Sequence, residues 1–265
     1  MDTILDHHEY CTGGFDPEDI VISGMAGRFP ECDSVGELKE SLFNKKDLVV
    51  FRKTRYEKGD CNAPYDSAGL IKNLDKLDTT YFPVSNFLAN TLDPAARIPM
   101  EVTYEAIADA GYDASNLKGQ RIGIFNATTE DSIKINTVDE SFINLQGVRT
   151  MNPNRTSYVM DFTGPSTSID SACSSGGVAL WAAYHNLKNN SCDAAVVTGC
   201  QLNLHPVMLN GYIGSGIGTT TGNSRPFDAN SESTVLSPEI VSSFFNILTF
   251  QINLSTTSQN LYKKK

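Results

Sequence analysis

Basic residues, histidine and tryptophan are scarce in this 265-residue chain, and each shortage removes a class of function. Lysine and arginine number 21 against 31 aspartates and glutamates, for a net charge of −10 and a pI near 4.8. Binding to phosphate backbones needs a basic footprint. The longest basic run is Lys263-Lys264-Lys265 at the very end, and with the acidic balance no nucleic-acid partner is expected. No apolar run approaches the roughly 20 residues that cross a bilayer. The most apolar stretch, Ile240 to Ile252, is interrupted by Ser242, Ser243, Asn246, Thr249 and Gln251. The opening MDTILDHHEY has no apolar core and does not read as a secretory signal. No membrane association is expected. The six cysteines, at positions 11, 32, 61, 173, 192 and 200, contain no CxxC pair. Without an export signal they read as reduced thiols of a cytoplasmic protein. Of the four histidines (7, 8, 185 and 205), His7-His8 reads as a tail with no clear set of acidic or cysteine partners in ligand spacing, and no metal site is expected. Glycine is missing after Gly222 and aspartate after Asp228, while serine and threonine fill 11 of the last 35 positions. That change of character marks residues 231–265 as a tail of different origin, expected to lack order.

The chain otherwise has the makings of a packed core, with 40% hydrophobic residues. DIVIS (19–23) reads as a buried strand ended by Gly24, and SGMAGR (23–28) as a turn. Ser34 to Phe43 carries Val35, Leu38 and Leu42 on one helical face. Residues 48–90 alternate charges, turns and short apolar patches, an irregular excursion. Asp93 to Ala110 is the clearest helix, with an Asp-Pro start, a stop before Gly111, and Asp93, Arg97 and Glu101 spaced for an ion-pair ladder. RIGIF (121–125), a short helix before Asp161, a strand and helix around Cys173, and DAAVV (193–197) follow. Strand, helix, strand in that order predicts a parallel sheet covered by helices.

Chemistry concentrates in SIDSACSSGG (168–177). A Gly164-Pro165 turn signal precedes the β-prone run. After Cys173 the period changes, with Val178, Trp181, Tyr184 and Leu187 on a helical stripe. Cys173 therefore falls where a strand ends and a helix begins, facing the free N–H groups and positive end of the helix. A thiol so placed is expected to be more acidic than a free one, and the thiolate is the nucleophile. Against this stands the common fate of a cysteine, a small inert core residue. Small neighbours on both sides favour a sharp turn that exposes the side chain, as in a nucleophile elbow. His185 lies twelve residues further along the helix, about 18 Å at 1.5 Å per residue, too far to act as base for this thiol. GYIGSGIGTTTG (211–222) lacks the lysine of a P-loop and reads as a loop.

The segment GPSTSIDSACSSG resembles the active-site segment of the β-ketoacyl synthases, the condensing enzymes of fatty acid and polyketide synthesis. Other stretches agree in order: IVISGMAGRFPECDSVGELKESLFNKKDLV, LDPAARIPMEVTYEAIADAGYD, NRTSYVMDFTGPS, CDAAVVTGCQLNL and TTTGNSRPFDAN. The wording is most like the multidomain fatty acid synthases of animals, arthropods in particular. The resemblance spans residues 19–230, between an N-terminal tail (1–18) and the foreign segment 231–265. It implies a thiolase-like fold with αβαβα layers, of which this chain carries essentially the first half. It implies a homodimer in the complete synthase, and Cys173 as the residue that takes an acyl group as a thioester. No cofactor is bound directly; acyl and malonyl groups arrive on the phosphopantetheine of an acyl carrier protein, the partner implied. In the family two histidines of the second half assist decarboxylation and stabilise the enolate, with a supporting lysine and asparagine. Their His-Gly-Thr-Gly-Thr and Asn-x-Gly-His-type motifs do not occur here, so a truncated synthase without condensing activity of its own is expected. Gly176-Gly177 also departs from the more usual serine and apolar residue, which loosens the first helical turn. Three alternatives stand beside this reading. One is a cysteine α/β-hydrolase-type thioesterase drawing on Asp193 and His205; the others are a polyketide ketosynthase fragment and a noncatalytic binding fragment.

Overall fold

The computed structural model describes residues 19–51, 67–128, 150–202, 211, 214–215 and 244–251. Strand β1 (Ile20–Arg28) starts where the sequence pattern places it but does not end at Gly24. It continues through the stretch expected to turn, with a register irregularity between Ile22 and Gly24. Gly24 serves packing instead. A Cβ at this position would lie 2.2 Å from the Ala106 carbonyl oxygen and 2.7 Å from the Ala110 nitrogen, so β1 and helix α3 (Pro94–Asp109) meet backbone to backbone.

Helix boundaries follow their caps. Ser34 accepts the Glu37 N–H at the start of α1 (Val35–Phe43), and Asp93 accepts the Ala95 N–H at 2.7 Å at the start of α3. Each such cap is worth about 1 kcal/mol. The predicted ladder on α3 does not form. Arg97 turns inward, only 8% exposed, and its Nη2 donates to the Leu74 carbonyl at 2.8 Å. Burial holds its pKa below the usual arginine value, while the charges of Asp93, Asp75 and Glu101 act against that shift. The segment expected to be irregular contains a two-residue pairing, β2 (Val50–Phe51) with β3 (Ser67–Ala68), and a short helix α2 (Asn86–Thr91).

The remaining elements are β4 (Ile122–Ala127), α4 (Met151–Met160), β5 (Ser166–Ile169), α5 (Ser175–Lys188) and β6 (Ala194–Gly199). Strand β4 pairs in parallel with both β5 and β6, the predicted βαβ arrangement. The order in the main sheet is β1-β7-β6-β4-β5, and β7 (Phe244–Gln251) corrects the reading of the C-terminal segment. Expected outside the domain, these residues form a strand antiparallel to both β1 and β6. The reason is local: between Phe244 and Gln251 the sequence is rich in β-prone residues, and the sheet has a two-sided slot for it. The rest of 231–265, and most of 211–222, lie outside the described residues.

Helices cover both faces. On one, α3 and α4 enclose Met100, Ile107, Ile122, Ile124, Met160 and Val196; on the other, α5 packs Ala179, Ala183 and Leu187 on Phe125, Ala195 and Val197. Val196 and Val197 thus face opposite layers, the alternation a strand requires.

Candidate active site

The approach to Cys173 is set by glycine and strand pairing. At Gly164 a Cβ would lie 2.4 Å from the Ile122 carbonyl carbon, so only glycine lets the chain cross this close to β4. Pro165 accepts the Ile124 N–H at 2.8 Å. Strand β5 then runs in register with β4 until Ala127 pairs with Ile169. The turn follows at once. Asp170 Oδ1 accepts the Ala172 N–H at 3.2 Å, and Ala172 takes a left-handed conformation with φ of 54°. A side chain in that region costs about 1–2 kcal/mol, an expense that has to be met by the bonds around it.

Those bonds come from two serines. Ser174 Oγ donates to the Ser171 carbonyl at 2.7 Å. Ser175 Oγ accepts the Ser171 N–H at 2.9 Å and donates to the Ala172 carbonyl at 2.7 Å. Because Ser174 points back into the turn, its side chain does not cap the first turn of α5. Cys173 thus sits on a strained strand-to-helix elbow, at the uncapped, positively polarised end of a helix. The sequence singled out this cysteine; it missed the work of Asp170, Ser171 and Ser175, although an acidic residue two before a small one is an Asx-turn signal.

Exposure separates the thiols. Cys173 is exposed, whereas Cys32, Cys192 and Cys200 are buried. Burial pushes the Cys192 thiol up to about 11 and the Cys200 thiol well above its ordinary value. Cys11 and Cys61 lie outside the described residues. On α5 the stripe Ser175, Ala179, Ala183 and Leu187 is buried, and the other side shows Val178, Leu180, Trp181 and Tyr184 to solvent. His185 packs against Trp181 with ring centroids 4.4 Å apart and the planes tilted by 57°, near the far end of α5, so it is not brought to Cys173.

The hydrolase alternative fails on topology. Strands β5 and β6 both run parallel to β4. Cys173 follows the carboxyl end of β5, whereas Asp193 precedes the amino end of β6. They lie at opposite ends of the strands, about 20 Å apart for a six-residue strand, and Asp193 is engaged with Arg121 at 3.4 Å. His205 lies outside the described residues. A cavity of about 290 Å³ lined by Arg28, Asp33, Lys72, Lys76 and Glu101 does not include Cys173. Its charges are largely matched internally, Arg28 by Glu105 and Lys72 by Asp33. Among the described residues there is no cluster fit for a metal ion and no helix long and apolar enough to cross a membrane.

A sequence model of the "Beta-ketoacyl synthase, N-terminal domain" matches residues 17–238. The chain belongs to the β-ketoacyl synthase family. It is 36% identical over 233 residues to a fatty acid synthase of the goose Anser anser anser, covering 84% of this chain and 65% of that protein. To the polyketide synthase PksM of Bacillus subtilis it is 30% identical over 224 residues, covering 82% of this chain and 5% of that one. In structure it superimposes on a ketosynthase domain from the oxazolomycin system of Streptomyces albus with a TM-score of 0.79 at 24% identity. The match covers 91% of this chain and 44% of that one. A ketosynthase from module 6 of the bacillaene synthase of Bacillus subtilis gives the same score, with 41% of that chain covered. The fold is therefore the thiolase-like fold of ketosynthases, of which this chain spans the first half and less than half the length of the solved domains. As a ketosynthase domain it is homologous to those of both fatty acid and polyketide synthases.

Proposed function

We propose that this chain is the nucleophile-bearing half of a condensing enzyme of fatty acid synthesis, with Cys173 as the acyl acceptor. In the step assigned, the Cys173 sulfur attacks the carbonyl of an acyl thioester carried on the phosphopantetheine of an acyl carrier protein. A carbon–sulfur bond to Cys173 forms, the bond to the carrier sulfur breaks, and the Cys173 proton ends on the carrier thiol. The acyl-enzyme splits one difficult condensation into two easier steps. The observation that carries this reading is the elbow: one exposed thiol at a strained strand-to-helix turn, inside the region that matches the family. The fatty acid assignment is favoured over a polyketide one by higher identity to the goose protein over a similar stretch of this chain. A homodimer of the complete synthase belongs to the same proposal. The test is acyl transfer from an acyl-carrier-protein thioester, read by intact mass and peptide mapping. One acyl adduct on the Cys173 peptide, absent in Cys173→Ala, is expected; an adduct retained in Cys173→Ala would overturn the assignment.

A further inference from the structure

We infer that Ser175 is a positioning residue for the Cys173 nucleophile. The inference rests on the proposed role of Cys173 and adds to it. Ser175 is the first residue of α5 and is 5% exposed. A hydroxyl at the start of a helix ordinarily faces forward, where free N–H groups wait. This one faces backward and makes two bonds, accepting the Ser171 N–H at 2.9 Å and donating to the Ala172 carbonyl at 2.7 Å. It thereby ties the Asp170–Ser171 and Ala172–Cys173 peptide units to the start of a helix that is packed on β4 and β6. Ala172, between them, is the residue in the left-handed conformation. Without the Ser175 hydroxyl, the backbone pair on either side of that residue loses its shared anchor. What remains are two exposed side-chain bonds, Ser174 Oγ to the Ser171 carbonyl and the Ala172 N–H to Asp170, both open to competition from water, and the backbone turn bonds from the Ser174 and Ser175 N–H groups to the Ser171 and Ala172 carbonyls. The elbow then samples conformations in which the thiol points away from the incoming carbonyl. A reacting atom displaced by even about 1 Å costs up to a hundredfold in rate, so an orientation-sensitive reaction suffers more than a permissive one.

The test compares the wild-type chain with Ser175→Ala and Ser175→Thr in three measurements. The first is the rate of acyl transfer to Cys173 from an acyl-carrier-protein thioester. The second is the rate of alkylation by iodoacetamide, with its pH profile. The third is hydrogen exchange at the Ser171 amide. Ser175→Ala is expected to slow acyl transfer roughly 10- to 100-fold, to slow alkylation less, and to speed Ser171 exchange, with the far-ultraviolet circular dichroism unchanged. Ser175→Thr, which keeps the hydroxyl, should recover most of the acylation rate. Equal acyl-transfer and alkylation rates in wild type and Ser175→Ala overturn the inference. So does a Ser175→Thr variant as slow as Ser175→Ala, which would mean packing and not the hydroxyl matters, or rapid Ser171 exchange in the wild type. If the wild type takes no acyl group, yet Ser175→Ala still loses Ser171 protection and alkylates Cys173 more slowly, the positioning role stands and the assigned reaction fails.

Discussion

At the scale of single residues, burial rather than residue type decides reactivity and pH response. With Cys192 pushed up to about 11 and Cys200 raised well above its ordinary value by burial, neither offers thiolate at pH 8. Iodoacetamide at that pH should modify Cys173 first among the four described cysteines, by tryptic mapping; equal labelling of Cys192 would contradict the burial argument. Glu101 gives the corresponding test for a carboxylate. Burial raises its pKa, although the Asp78 N–H and the Arg28 charge pull the other way. A raised folded-state pKa means the folded protein holds this proton more tightly than the unfolded chain. Its stabilising contribution is complete below the unfolded value and is lost as pH rises through the folded one. Glu101→Gln keeps an acceptor for Asp78 and removes the charge, so it should raise the melting temperature by about 1–3 °C at pH 7. The gain should vanish below about pH 4, where the wild-type carboxyl is protonated too. A gain of equal size at both pH values would assign the effect to something other than ionisation.

At the scale of elements, local signals were legible and long-range ones were not. The helix beginning around Ser34, the Asp93 cap, the end of a short helix before Asp161 and the strand-to-helix junction at Cys173 are written in adjacent residues and appear where the sequence placed them. Gly24 read as a strand end because its true reason, contact with the Ala106 carbonyl, involves a helix some eighty positions away. Arg97 read as one rung of an ion-pair ladder because helical spacing says nothing of the Leu74 carbonyl that claims it. Strand β7 was missed because composition alone set its segment apart, while the two strands it joins come from distant parts of the chain. Its position makes a sharp prediction. Among the described residues strand β1 has no other neighbour in the main sheet, so β7 is what ties it to β6. Ile247 pairs across to Met25 on one side and Val197 on the other, and proline is not tolerated in a central strand. Ile247→Pro should destabilise the protein by at least about 2 kcal/mol and strip hydrogen-exchange protection from β1. Unchanged protection of Ile20–Arg28 in that variant would mean the segment is dispensable.

At the scale of the whole molecule, the proposed half-synthase is expected to take an acyl group without condensing it. The chain spans 44% and 41% of two solved ketosynthases. Helix α5, which follows Cys173, leaves Val178, Leu180, Trp181 and Tyr184 uncovered, an apolar patch of the kind that marks an interface. Trp181 is the single tryptophan of the chain and is 63% exposed, so its emission reports directly on whether that face is bare. Acyl transfer needs an exposed thiol on a fixed elbow, and both are here. Condensation needs more, because decarboxylation of a carrier-bound malonyl group builds negative charge that must be stabilised in the transition state. The family resemblance assigns that task to two histidines in motifs this sequence does not contain. His185 is held against Trp181, far along α5, and does not replace them. Each missing donor of this kind raises the barrier by about 3–4 kcal/mol, so without both no measurable turnover is expected. The 265-residue chain should therefore acylate Cys173 but release no labelled carbon dioxide from malonyl–carrier protein above a Cys173→Ala control. Its tryptophan emission should be that of a solvent-exposed indole, quenched freely by acrylamide. Cys173-dependent release of carbon dioxide with a ketoacyl product, together with a blue-shifted and protected Trp181, would show that another chain covers the face of α5 and supplies the missing groups.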